Sequence, residues 1–157
     1  MIEPMPPIAA RLPLPLLFAA SFALGWSVDR WIGDAPAVLA TRPIAWAGLI
    51  LTVLSLVLAV ASMGHLLLRR TSIDPAGQPS RLVTGGVYAL SRNPAYLSLV
   101  LLHAGLALIL AAPVALVMLL PLLVVVDRMV IPFEERMLSR RFGAEFDAYR
   151  RRVRRWL

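Results

Sequence analysis

The chain has 157 residues, 59% of them hydrophobic, with no cysteine, two histidines and a formal charge of +7. A soluble domain is roughly 45–50% apolar, so lipid must be the solvent for part of this single domain. Without cysteine there are no disulfides, thiolate sites or cysteine nucleophiles, and His65 and His103 alone argue against a metal centre.

Residues 1–7 lack the charged start and cleavage site of a secretory signal, so the first apolar run is expected to remain as an anchor. That run, residues 12–32, is interrupted by Pro13 and Pro15 and ends in Asp29 and Arg30. The second, 44–68, is the clearest, since a crossing needs about 20 apolar residues. A loop rich in Gly, Pro, Ser and Thr follows over residues 71–91, and a loop of that length is generally functional or disordered. The third and fourth runs, 95–112 and 113–133, are joined only by Ala111-Ala112-Pro113, which predicts a tight antiparallel hairpin. Pro121 inside the fourth is tolerable in a spanning helix. From residue 133 onward, Leu138, Phe142, Phe146, Tyr149, Val153 and Trp156 share one helical face, interrupted at Gly143. This tail reads as an amphipathic helix at the interface.

Every basic residue is arginine, and nine lie in residues 128–155 beside a membrane segment. Anionic headgroups account for that charge more economically than nucleic acid. Arginines after the second and fourth spans, among them Arg69, Arg70, Arg81, Arg92 and Arg136, predict that both termini and the middle loop are cytoplasmic. The fold expected is all-α and integral to the membrane: about four transmembrane helices plus the C-terminal interfacial helix.

The two feet of the hairpin carry the chemistry. Glu134 and Glu135 follow the fourth span, where a carboxylate is costly unless solvated or paired; acids opening a helix are the plainer alternative. Arg92-Asn93-Pro94 suits a helix start, with Asn93 capping and Pro94 at the first position, and it leaves amides for a ligand carboxylate. Gly85-Gly86 permits close backbone approach. Asp127-Arg128 reads as a pair that snorkels to the interface, with Arg128 as the sharper option for substrate contact. His65 and His103 are expected to pack or to bond a neighbouring helix. The chain has no Gly-rich phosphate loop, no HExxH and no GxSxG.

Leu82-Val83-Thr84-Gly85-Gly86-Val87-Tyr88, Ser91-Arg92-Asn93-Pro94-Ala95-Tyr96, Glu134-Glu135, and the tail pieces Phe142 to Tyr149 and Val153 to Trp156 occur in this order. Together they resemble the isoprenylcysteine carboxyl methyltransferase and phospholipid methyltransferase superfamily over roughly the C-terminal half. The resemblance implies an S-adenosylmethionine-dependent methyltransferase without a Rossmann domain, releasing S-adenosylhomocysteine. It implies a cofactor site of Leu82, Val83, Tyr88, Asn93, Pro94, Tyr96 and Glu134, with Arg92, Asn93 and Glu134 as the catalytic set. On this reading Glu134 pairs with the cofactor's ammonium, amides near Asn93 or Arg92 hold its carboxylate, and Tyr88 and Tyr96 pack on its adenosine. Glu135 is expected to be exposed and cheap to replace. Asn93 stands where the best-known members have histidine, and Val130 where they have a substrate-contacting arginine.

The domain then divides into two N-terminal spans (1–70), a cytoplasmic cofactor loop (71–94), the hairpin (95–133) and the C-terminal helix (134–157). The expected activity is methyl transfer to a lipophilic or small acceptor at the cytoplasmic face, like that of isoprenylcysteine carboxyl methyltransferases. A phospholipid amine or thiol methyltransferase is the alternative, and a non-catalytic scaffold of the same fold is a third. The expected setting is multi-pass in a bacterial inner membrane, with a lipid or lipophilic substrate, no nucleic acid and no obligate protein partner.

Overall fold

The computed structural model describes residues 13–33, 36, 38–68 and 81–157. Expectations for residues 1–12, Arg69, Arg70 and 71–80 of the middle loop lie outside the described residues. Among those described, all regular structure is helical.

Helix α1 (Leu14–Ile32) begins at the two prolines instead of breaking there. A proline in the first turn gives up an amide that has no partner at that position anyway. Helix α2 (Arg42–Leu68) inverts the soluble pattern. Leu56, Val57 and Val60 are exposed, while Gly48, Ser55 and Ser62 are buried. Small residues face the protein because helices in lipid associate by close backbone packing.

Helices α3 (Pro94–Ile109) and α4 (Pro113–Val125) form the expected hairpin. Its turn is closed by the Ala112 amide donating to the Ala107 carbonyl at 2.8 Å. Asp29, near the end of α1, accepts from the amides of Val114 and Ala115 at 2.9 and 3.0 Å, satisfying the donors that open α4. A Cβ on Gly48 would lie 2.7 Å from the Gly105 carbonyl oxygen, so α2 and α3 meet backbone to backbone. Ser55 Oγ adds a bond to the Ser98 carbonyl at 2.8 Å. Helix α1 packs on α4, and Leu14, Phe18, Leu119, Leu122, Val126, Val130 and Ile131 form the main core.

The chain continues through one π-helical turn (Val126–Val130) into α5 (Ile131–Phe142). Pro132 explains the widening, since it has no amide and its ring crowds the carbonyl four residues back. The Ile131 amide reaches back five residues to the Val126 carbonyl, which skips the carbonyl of Asp127.

Two helices, α2 with 27 residues and the continuous Pro113–Phe142 with 30, are long and apolar enough to cross a membrane. The apolar part of the second ends at Phe133, where Glu134, Glu135 and Arg136 follow; we read 113–133 as its spanning segment. Helix α3, with 16 residues, extends about 24 Å, short of a hydrocarbon core of about 30 Å.

The tail departs from expectation. Gly143, with φ of +50°, ends α5, and α6 (Ala144–Arg152) turns back toward the protein. Phe146 and Tyr149 are only 1% and 4% exposed, so they belong to the interior and do not anchor in headgroups. Residues 153–157 form a non-helical strap, and Trp156 packs on the main core. Val153 and Trp156 therefore do not extend the helical face.

Candidate functional site

The two feet of the hairpin meet. In the first turn of α3, the Tyr96 hydroxyl donates to Glu134 Oε1 of α5. No arginine forms an ion pair with Glu134 among the described residues. Burial, foremost, pushes the Glu134 carboxyl up to about 7; the charge of Glu135 adds to this, and the bond from Tyr96 opposes it. The Tyr88 phenol is pushed up to about 12, by burial first and by the charge of Glu134 second. Tyr96 therefore touches Glu134, and Tyr88 lies close enough to sense its charge.

Tyr88 is carried by a single 3-10 turn (Gly86–Ala89). Gly86 has φ of +61°, and the His65 imidazole lies where its side chain would begin, so glycine is required there twice over. His65 itself bonds the Ala61 carbonyl of its own helix at 2.9 Å. Leu82 and Val83 lie half-buried just before the turn. From α6, the Tyr149 hydroxyl donates to the Tyr88 carbonyl at 2.6 Å.

Glu135 is the main surprise. Its Oε1 accepts from Arg92 Nη2 at 2.7 Å and its Oε2 from Arg155 Nη2 at 2.8 Å. Burial alone would raise this carboxyl, but Arg155 and Arg92 outweigh it and hold it below the usual carboxylate range. The expectation of an exposed, dispensable Glu135 is thereby corrected. Arg155 also donates to Asp127 twice: Oδ1 at 3.1 Å and the main-chain carbonyl that the π turn skips at 3.3 Å. Trp156 Nε1 donates to the same Oδ1 at 3.0 Å.

Arg92 and Asn93 serve this clasp. Arg92 Nη1 donates to the carbonyls of Arg150 and Val153, at 3.0 and 2.7 Å. Asn93 stands at the N-cap of α3 and Pro94 follows in the first turn, but the Asn93 side chain does not cap. Its amide nitrogen instead donates to the Arg155 carbonyl at 3.0 Å. The backbone amides of Arg92 and Asn93 are already taken, by the Arg154 carbonyl at 3.0 Å and by Ser91 Oγ at 3.1 Å. They are not available to a ligand carboxylate as expected. The Arg128 side chain is 81% exposed, with a 3.7 Å contact to Asp127, apart from the Glu134 cluster. His103 does bond a neighbouring helix, through Nε2 to the Ala115 carbonyl at 2.8 Å.

Two helices long and apolar enough to cross a membrane, with a carboxylate set beside phenols just past the apolar stretch of one of them, mark a membrane protein with a polar cluster at the feet of its hairpin. Residues 43–145 match the family model described as phospholipid methyltransferase, and the chain belongs to that family. Membership implies methyltransferase activity of the membrane-embedded kind. No curated protein sequence and no solved structure matches the chain. The matched region holds Tyr88, Tyr96, Glu134 and Glu135, and it ends before the strap.

Proposed function

We propose that the protein transfers a methyl group from S-adenosylmethionine to a lipid amine at the cytoplasmic face of the membrane. The carrying observation is Glu134, a half-buried carboxylate beside two phenols with no arginine paired to it among the described residues. Such a group suits a ligand that brings its own cation, and the faces of Tyr88 and Tyr96 suit a sulfonium or an adenine.

When bound, S-adenosylmethionine supplies an electrophilic methyl carbon on a sulfonium. The chain supplies placement, which is the larger part of what an in-line transfer needs. Glu134 holds the ligand's ammonium, and Tyr96 fixes the carboxylate's direction. With the amides of Arg92 and Asn93 occupied, those of Ala95 and Tyr96, which open α3 and have no carbonyl a turn back, are the donors for a ligand carboxylate. Tyr88, on its 3-10 turn, lies close enough to Glu134 to sense its charge. Asn93 stays neutral, so it acts through the clasp and not as an acid.

The choice of an amine rests on Val130, which fills the position of the superfamily's substrate arginine and is 1% exposed in the core. An acceptor carboxylate lacks that partner here. In this reading α1 and α3 provide two further crossings, the bilayer thinning locally around the shorter α3, and both termini face the cytoplasm on the arginine asymmetry.

The test supplies radiolabelled methyl donor to protein in nanodiscs that contain either phosphatidylethanolamine or a prenylcysteine. Label in the phosphatidylethanolamine supports the proposal. Label in prenylcysteine alone transfers the assignment to a carboxylate acceptor, and label only in water-soluble products overturns the lipid acceptor. Failure to bind the donor at all indicates a scaffold.

A further inference from the structure

We propose that Arg155 is a positioning residue: through Glu135 and Asp127 it sets the orientation and the local charge of Glu134, so the C-terminal strap tunes the site from outside it. The inference rests on the functional reading above, which makes Glu134 the ligand-binding carboxylate.

Neighbouring residues on a helix point about 100° apart, so Glu134 and Glu135 cannot face the same partner. Both Glu135 oxygens are held, one by Arg92 from the foot of α3 and the other by Arg155 from the strap. That fixes the rotation of the first turns of α5 and leaves Glu134 on the side of Tyr96. The same guanidinium reaches the Asp127 carbonyl skipped by the π turn, so the irregular turn below Glu134 is held by the same residue. The Arg155 carbonyl accepts from Ser91 and Asn93, which seats the strap against the other foot. One tail residue therefore contacts both feet and the turn beneath them.

The cluster sets Asp127 and Glu135 against Arg92 and Arg155, with the exposed Arg128 at its outer edge beside Asp127. Glu134 is faced by Tyr96 from α3, by Tyr88 from the 3-10 turn, and by Glu135 on its own helix. Removing Arg155 takes a positive charge from this cluster and removing Glu135 a negative one, so the two changes act on Glu134 with opposite sign. A merely structural tether predicts no such opposition of sign.

The experiment titrates the Glu134 carboxyl directly, by carbon NMR of glutamate-labelled, ligand-free protein in nanodiscs, with Glu134→Gln identifying the resonance. Arg155→Gln should raise the midpoint and Glu135→Gln lower it, each by roughly half a pH unit or more. The double variant should return toward wild type, and Arg155→Lys should stay near it. Midpoints that do not move, or that move in the same direction in both variants, overturn the proposal. If Arg155→Gln does not fold, Glu135→Gln and the double variant still decide by the same signs. Calorimetry of wild type with S-adenosylmethionine runs alongside: failure to bind overturns the functional reading, while the ligand-free titration still decides the role of Arg155.

Discussion

Tyr149 reaches across from the tail helix and donates its phenol hydrogen to the main-chain carbonyl of Tyr88 at 2.6 Å. The bond ties the last helix to the turn that carries a phenol toward Glu134. Burial, foremost, raises the Tyr149 phenol well above its ordinary value, so it remains a donor throughout the physiological range.

Replacing Tyr149 with Phe keeps the ring and leaves the Tyr88 carbonyl without this donor. A buried acceptor left unpaired costs about 1–3 kcal/mol. Amide exchange over residues 85–91 should accelerate, with a modest loss of thermal stability in detergent. Unchanged exchange there would show that the Tyr88 turn is held by other contacts.

Glu134 should make both ligand binding and stability depend on pH. Its folded value, about 7, lies above the unfolded value of 4.5. The folded state therefore holds the proton more tightly, and its stability falls as pH rises from 4.5 to about 7, then levels off. A cationic ligand needs the carboxylate, so donor affinity should rise across the upper part of the same window. Glu134→Gln should flatten the stability slope and weaken donor binding by about 30-fold or more. Melting curves and calorimetry at pH 5.5 and 8 check both; a wild-type affinity flat in pH rules out this role for Glu134.

Glu135→Ala should behave differently from Glu134→Ala. It leaves Arg92 and Arg155 facing each other, with side chains 14% and 30% exposed. Partial exposure moderates the loss, which we set at about 2 kcal/mol of stability. Thermal unfolding should rank Glu135→Ala well below Glu134→Ala. The opposite ranking would mean that the clasp contributes little.

Gly86→Ala should disrupt the Tyr88 turn through two separable effects. The new methyl collides with the His65 ring, and φ of +61° is unfavourable for alanine. Adding His65→Ala removes the collision but not the strain, so the double variant should recover only part of the stability lost. Full recovery would show that the backbone strain is negligible.

Much of this architecture is readable from composition and local pattern. The lipid-facing character of 44–68, the hairpin through Ala111-Ala112-Pro113 and the meeting of its feet all follow from the length of apolar runs and from short connections. The start of α1 at Pro13 was legible in principle too, because proline opens helices as readily as it breaks them. Asp29 was not. It reads as the polar end of a span, and only the packing of α1 on α4 shows that it holds the amides of Val114 and Ala115.

The roles of the two glutamates were beyond the sequence for a similar reason. Glu134 and Glu135 have the same chemistry, are adjacent and share the same local propensity. What separates them is about 100° of helix rotation and a strap that returns to meet one of them. Gly143 allows that return, but a glycine signals only that the chain can turn, not where it goes. The sequence by itself determined an apolar hairpin with acids and phenols at its feet, because burial pattern and turn chemistry are local. Tertiary structure alone decided which acid is clasped by arginines and which faces a phenol, because that depends on arginines far along the chain and on the packing that brings them back.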